Sequence, residues 1–290
     1  MCGSDIVKLK HNLAKEGSVL GHEIVGRIVE LNTDTDFKIG DIIVTSHHIP
    51  CGKCEYCKNG NVSMCRHFKE TNIKPGGFSE YVFVSEEHLQ NVAYIKPDNL
   101  TDIEASFYEP LGCCIRAVKR AYLTENSTAL VIGLGSVGIL MAQVLKAFGY
   151  KVIGCDLLSQ RVELLKTYGI EGFLVPDLCE SIKADCVFMT SGSDKAIDTA
   201  LKYVRDGGKI LIFASTPLNN GYPNNEIYYR ELTVLGSYSP SPADLKESLE
   251  LLKAHQVKVS GLSTVYNLDN IQKAINDTVE NKILKAYIQI

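Results

Sequence analysis

The sequence predicts an α/β fold: a parallel sheet with helices on both faces, preceded by a β-rich region. From about residue 111 to 253, short apolar runs alternate with segments of helical periodicity. That alternation makes βαβ units, and βαβ units make parallel sheets. Before Glu109-Pro110 the pattern is different, with short β-type runs punctuated by turn residues. The chain has 290 residues, enough for two domains.

In the first region the candidate strands are Glu23–Leu31, Asp41–Thr45 and Glu80–Val84. Asn59-Gly60, Gly40-Asp41 and Gly76-Gly77 supply the turns. We expect an all-β domain over residues 1–112, built as a small distorted barrel. In the second region the expected strands are Thr128–Ile132, Lys151–Cys155, Cys186–Thr190, Lys209–Ala214 and Leu232–Gly236. Helices are expected over Val137–Phe148, Ser159–Tyr168, Lys195–Tyr203 and Ala243–Ala254. This second domain is taken as 113–255. Residues 256–290 end in the strand-like Leu284–Ile290, which can return to the first region.

Composition narrows the function classes. Apolar residues make up 45 % and charged residues 22 %, with a net charge of −4. Nothing there points to nucleic acid or to an anionic membrane surface. The most apolar stretch, Ala129–Ala142, is shorter than the roughly 20 residues a membrane span needs. No charged-then-apolar leader follows Met1. Of ten cysteines, four cluster at metal spacing and the rest scatter, so a reducing compartment, the cytoplasm, is expected.

Cys51, Cys54, Cys57 and Cys65 have the spacing C-x2-C-x2-C-x7-C. Two C-x2-C steps set three thiolates around a tight turn, and the fourth can close a tetrahedron. Structural zinc is four-coordinate and takes thiolates readily; an all-cysteine shell leaves no position for a substrate. Thiolates also bind iron in clusters, but nothing else in the sequence suggests electron transfer.

Gly133-Leu134-Gly135-Ser136-Val137-Gly138 is a G-x-G-x-x-G between an expected strand and an expected helix, the surroundings such a motif needs. The first glycine makes the turn, the second admits a pyrophosphate to the backbone, and the third lets helix and strand approach. Ser136 and Val137 open the helix whose N-terminus faces the phosphates. Asp156 ends the next strand, 18 positions after Gly138, where a carboxylate can accept from ribose hydroxyls and repel a 2′-phosphate. These residues predict a Rossmann domain binding NAD. Arg161, five residues on, is either a cofactor neighbour or a solvated helix residue. Ser191-Gly192 and Ser215-Thr216 follow later strands, where they either flank the nicotinamide or simply make turns.

Three further residues lack decisive spacing: Cys2 in Cys2-Gly3-Ser4-Asp5, His22 in Gly21-His22-Glu23, and Glu109 in Glu109-Pro110-Leu111-Gly112. Singly, each has an ordinary structural explanation. Together, a cysteine, a histidine and a carboxylate from separate loops can bind zinc and leave one position open, the catalytic form of a zinc site.

Taken with the cysteine cluster, Gly76–Tyr81 (GGFSEY), the glycine turn and Asp156, these motifs resemble the zinc-dependent medium-chain alcohol/polyol dehydrogenases, the family of sorbitol and threonine dehydrogenases. The motifs occur in family order along nearly the whole chain. The resemblance implies a chaperonin-10-like barrel beside the Rossmann domain, and hydride transfer between a secondary alcohol and NAD. It implies Cys2 and His22 as catalytic zinc ligands, with Glu23 or Glu109 as the third; a glutamate at 109 points to the polyol/threonine branch. It implies Ser4 as the start of a proton relay and Asp5 as the acid that orients His22. It also implies a homodimer or homotetramer, with Leu232–Tyr238 as a candidate pairing edge.

Two departures bear on activity. The relay position that is histidine in many relatives is Val7 here. Relatives also carry some 35–40 residues before the first zinc cysteine, so the β-domain is expected to be N-terminally shortened, by a misassigned start or by true truncation. A truncated, non-catalytic NAD-binding protein that keeps only the structural zinc is the alternative. His47, His48 and Arg116 are the polar residues to watch near the substrate.

Overall fold

The computed structural model describes residues 1–215 and 223–290. The chain forms two compact units: residues 1–112, 240–255 and 259–290 make one, and 113–239 with 256–258 make the other.

The first unit holds β1 (Ile24–Arg27), β2 (Ile42–Thr45) and β3 (Ala93–Ile95) in an antiparallel sheet of that order. Ile43 and Ala93 pack with Ile28 and Leu89 on one face, and Val44 is fully buried on the other. The second unit holds β4 (Thr128–Ile132), β5 (Lys151–Asp156), β6 (Glu171–Leu174), β7 (Ala184–Met189), β8 (Val204–Ile212) and β9 (Thr233–Gly236). They form one parallel sheet in the order β6-β5-β4-β7-β8-β9. That is the doubly wound Rossmann order, which reverses between β4 and β7. Leu130, Val131, Val187, Phe188 and Ile210 are fully buried, as expected where helices cover both faces. β10 (Thr264–Asn267) and β11 (Ala286–Gln289) form a separate parallel pair in the first unit.

Three expectations need correction. The first unit is not all-β: helices cover Gly3–Lys10, Glu86–Val92 and Ile271–Val279, among others. Glu80–Val84 is not a strand; a single bridge joins Phe83 to Lys74, and Tyr81 and Phe83 are 72 % and 64 % exposed. Its alternation matches a strand, but no partner strand lies beside it among the described residues. Finally, the helix Pro242–Lys253 belongs to the first unit, although its residues were assigned to the second domain. Its apolar face buries Leu245 beside Gly112, and Ser248 Oγ donates to the Tyr108 carbonyl at 2.7 Å. Periodicity reveals an apolar face but not which core receives it.

Candidate active site

The helix Gly3–Lys10 begins just after Cys2. The Cys2 N–H donates to Asp5 Oδ2 at 3.1 Å, so Asp5 turns back across the helix start. Gly21 brings the chain into His22-Glu23 at φ +91°, with Gly77 and Phe78 so close that a Cβ there meets the Phe78 nitrogen at 2.9 Å. The Gly77 and Phe78 N–H groups donate to Gly21 O and Leu20 O. The Gly76-Gly77-Phe78 segment therefore fixes the loop that carries His22.

The result is a cluster: one ligand atom each from Cys2, His22 and Glu23, all within 4.8 Å of one another. His22 Nδ1 lies 3.4 Å from Asp5 Oδ1. Burial works to lower the His22 pKa, but hydrogen bonding to Asp5 and Cys2 outweighs it and raises it. Burial likewise works to raise Asp5, and His22 overrides it, holding Asp5 at about 2. Glu23 Oε1 is buried with no hydrogen-bond partner, and such an oxygen is costly unless a cation or donor meets it. A thiol, an imidazole and a carboxylate with one oxygen waiting are a donor set that zinc accepts.

Glu109 is also buried, in the first turn of the helix Tyr108–Arg120. It is not one of the three clustered ligands, but its charge helps raise the pKa of Lys285. Lys285 is the residue that sequence reasoning missed. Its Nζ ion-pairs with Glu23 Oε2 and is buried. A lysine just before a short strand carries no mark of that role in sequence. Ser4 is exposed in the first turn of its helix, and Val7 is exposed on the same helix.

A row of rings leads away from His22. Its centroid is 4.7 Å from that of His47, which lies 4.0 Å from His48, which lies 4.7 Å from Phe68. Arg116 is buried in the helix Tyr108–Arg120.

The four cysteines also converge, their sulfurs all within 4.8 Å of one another. Sγ of Cys57 lies 3.5 Å from that of Cys54 and 4.0 Å from that of Cys51. A tetrahedron of sulfurs about 2.3 Å from zinc has edges of about 3.8 Å, so these spacings fit the ion. The positive φ of Gly52 and Gly60 closes the loop. Backbone N–H groups of Lys53 and Cys54 lower the Cys51 pKa. Burial pushes Cys57 up to about 12, with neighbouring thiols adding to it. Burial works to raise Cys65 too, but hydrogen bonds from the backbone of Cys51 and Phe68 override it and hold Cys65 at about 6, so the cluster contains thiols already inclined to ionise for a cation.

In the second unit, Gly133 turns at φ +93° against Ser191, and a Cβ on Gly138 meets Gly133 O at 1.8 Å. A Cβ on Gly135 has nothing within 4 Å, leaving open space over the turn. That space is the cradle a pyrophosphate needs, at the N-terminus of the helix Ser136–Ala147. Asp156 Oδ2 accepts from Leu134 N at 2.6 Å and Oδ1 from Leu158 N at 3.0 Å. The carboxylate thus braces the glycine turn. Arg161 Nη1 lies 3.5 Å from Asp156 Oδ2. Thr190 Oγ1 donates to Gly133 O at 2.6 Å, so the ends of β4 and β7 meet at the reversal of strand order. Ser191 is part of this junction. Ser215 is exposed beyond β8, and Thr216 lies outside the described residues.

A Rossmann sheet with an open glycine cradle, in a chain with two metal-ligand clusters, defines a nucleotide-dependent zinc oxidoreductase. Residues 1–94 match the alcohol dehydrogenase GroES-like domain, and residues 136–254 match the zinc-binding dehydrogenases. The chain is 31 % identical to a sorbitol dehydrogenase of Halalkalibacterium halodurans, over 99 % of this chain and 88 % of that one. It is 29 % identical to D-xylulose reductase A of Aspergillus oryzae, over 99 % and 86 %. The fold matches acetophenone reductase of Geotrichum candidum in complex with NAD, with TM-score 0.86 and 24 % identity over 100 % and 86 % of the two chains. The chain belongs to the zinc-dependent medium-chain alcohol/polyol dehydrogenases, and these relatives favour an NAD-linked enzyme over a non-catalytic remnant.

Proposed function

We propose that this protein interconverts a polyol and its ketose at a zinc site formed by Cys2, His22 and Glu23. The observation that carries this is the convergence of those three ligand atoms within 4.8 Å, with Asp5 behind the imidazole. The sorbitol and xylulose relatives support the polyol class.

Zinc would supply Lewis acidity toward the alcohol oxygen, and NAD would accept the hydride. Asp5 orients His22 and fixes which ring nitrogen faces the metal. Glu23 is shared between the metal and Lys285, and Glu109 is a second acid available to the same centre. Ser4 accepts the substrate hydroxyl proton and passes it to water, because Val7 cannot carry it. Gly133, Gly135, Ser136, Val137 and Gly138 hold the pyrophosphate. Asp156 takes the ribose hydroxyls on its remaining lone pairs with Arg161 at its side, and Ser191 and Ser215 border the nicotinamide half. Cys51, Cys54, Cys57 and Cys65 hold the structural zinc.

Among the described residues no strand pairs with the outer edge of β9, and Tyr238 just beyond it is 62 % exposed, which supports pairing between copies in a homodimer or homotetramer. No described helix is long and apolar enough to cross a membrane; a cytoplasmic location is part of the proposal.

The test is zinc content together with NADH formation across a panel of polyols and simple alcohols. Cys2→Ser and His22→Ala are expected to lower kcat/KM about a thousandfold, about 4 kcal/mol of transition-state stabilisation. Wild-type rates in both variants would sink the proposal.

A further inference from the structure

His47 is half-buried, and its ring lies in the row that leads away from His22. Its neighbours are all engaged: His22 Nδ1 faces Asp5, His48 Nδ1 meets the Thr71 carbonyl at 2.5 Å, and His88 Nδ1 meets Ser85 Oγ at 2.7 Å. His88 Nε2 also reaches the His47 carbonyl at 3.1 Å, anchoring the His47 backbone. The His47 ring is clamped between those of His22 and His48, at 4.7 and 4.0 Å between centroids. Yet His47 Nδ1 is buried and has no hydrogen-bond partner among the described residues. A buried ring nitrogen held rigidly without a partner costs free energy, on the order of 1–3 kcal/mol. Such a group stands ready for a partner that arrives from outside.

The partner must reach a nitrogen whose ring touches that of His22. A substrate oxygen drawn to the Cys2–His22–Glu23 cluster would lie beside the His22 ring, whose centroid is 4.7 Å from that of His47. A vicinal diol carries a second hydroxyl on the adjacent carbon, able both to donate and to accept. A neutral imidazole nitrogen can pair with it in either tautomer. A simple secondary alcohol has only a methyl or methylene there.

We propose that His47 is a substrate-positioning residue that hydrogen-bonds the hydroxyl adjacent to the reacting one, and so selects vicinal polyols over simple secondary alcohols. This rests on the zinc site proposed above. The backbone anchor from His88 and the rings on either side make the contact preorganised, so its loss falls on substrate binding more than on turnover.

The test compares xylitol with butan-2-ol in the zinc- and NAD-loaded protein. His47→Phe keeps the ring and removes both nitrogens. We expect its KM for xylitol to rise about 10- to 100-fold, with kcat changed much less and a far smaller fall in kcat/KM for butan-2-ol. Calorimetric titration of xylitol into the NADH-loaded protein, where no hydride transfer occurs, should show the same fall in affinity. His47→Asn keeps a short polar group and should recover part of the xylitol affinity. Zinc content per chain should match wild type in both variants. Equal loss on both alcohols, or no loss on xylitol, overturns the inference while leaving the zinc reading intact. A wild-type protein that oxidises neither alcohol overturns the functional reading, and this inference with it.

Discussion

The carboxylate of Glu23 and the ammonium of Lys285 form a buried ion pair between residues 262 positions apart. Burial works to raise the Glu23 pKa and to lower that of Lys285, and each is overridden by its partner. The Met1 nitrogen lies 3.5 Å from the same Glu23 Oε2. Glu23 therefore belongs both to the ligand cluster and to the closure of the first unit.

Removing one member of a buried pair leaves the other uncompensated, at a cost of about 3–5 kcal/mol. Lys285→Met is expected to lower stability by that amount, measured as the urea midpoint. Pairing it with Glu23→Gln should cost much less than the sum of the two single changes. A double-mutant cycle with no coupling would show that the pair contributes nothing.

Asp5 links stability to pH. Its folded pKa of about 2 lies below the ordinary 3.8. A depressed carboxyl contributes stability that is present above its unfolded value and lost as the pH falls through its folded value. Metal-free protein should therefore lose about 2 kcal/mol between about pH 4 and pH 2. Asp5→Asn should remove that part of the acid limb. An unchanged limb in the variant would refute the assignment.

The second and third glycines of the turn should separate cofactor binding from folding. Gly138→Ala forces a Cβ onto Gly133 O at 1.8 Å and should destabilise the second unit by about 3 kcal/mol. At Gly135, φ is −66° and nothing lies within 4 Å, so alanine fits the apo fold. There the loss should fall on NAD, with a Kd raised about tenfold, or about 1.4 kcal/mol. Thermal melts and NADH fluorescence titration distinguish the two.

Replacing Cys57 with serine should release the structural zinc and keep the other. Melting should fall well below wild type, while activity near 10 °C persists, because that ion takes no part in the chemistry. Immediate loss of all zinc would show that the two clusters are not independent.

Local chemistry made part of this molecule legible in sequence. The four cysteines and the glycine turn lie within short stretches, so their spacing alone defines their geometry. Cys2, His22 and Glu23 are readable only through the resemblance, because two loops twenty residues apart carry them. Lys285 was out of reach, since a salt bridge across 262 positions leaves no trace in any window of sequence. Glu80–Val84 misled for the opposite reason: alternation describes a strand's faces, but a strand also needs a neighbour. The orphan nitrogen of His47 appears only when every neighbouring ring is already in place.

The two units are threaded differently, and this sets an order of assembly. Nearly all of the second comes from one continuous run, residues 113–239, while the first is stitched from three segments. As the chain leaves the ribosome, the nucleotide-binding unit has its whole sheet available early, and its neighbouring strands are close in sequence. The Cys2–His22–Glu23 cluster stays open until Lys285 and β11 arrive. The four-cysteine loop, whose ligands all fall within residues 51–65, can close on an ion long before that cluster is enclosed.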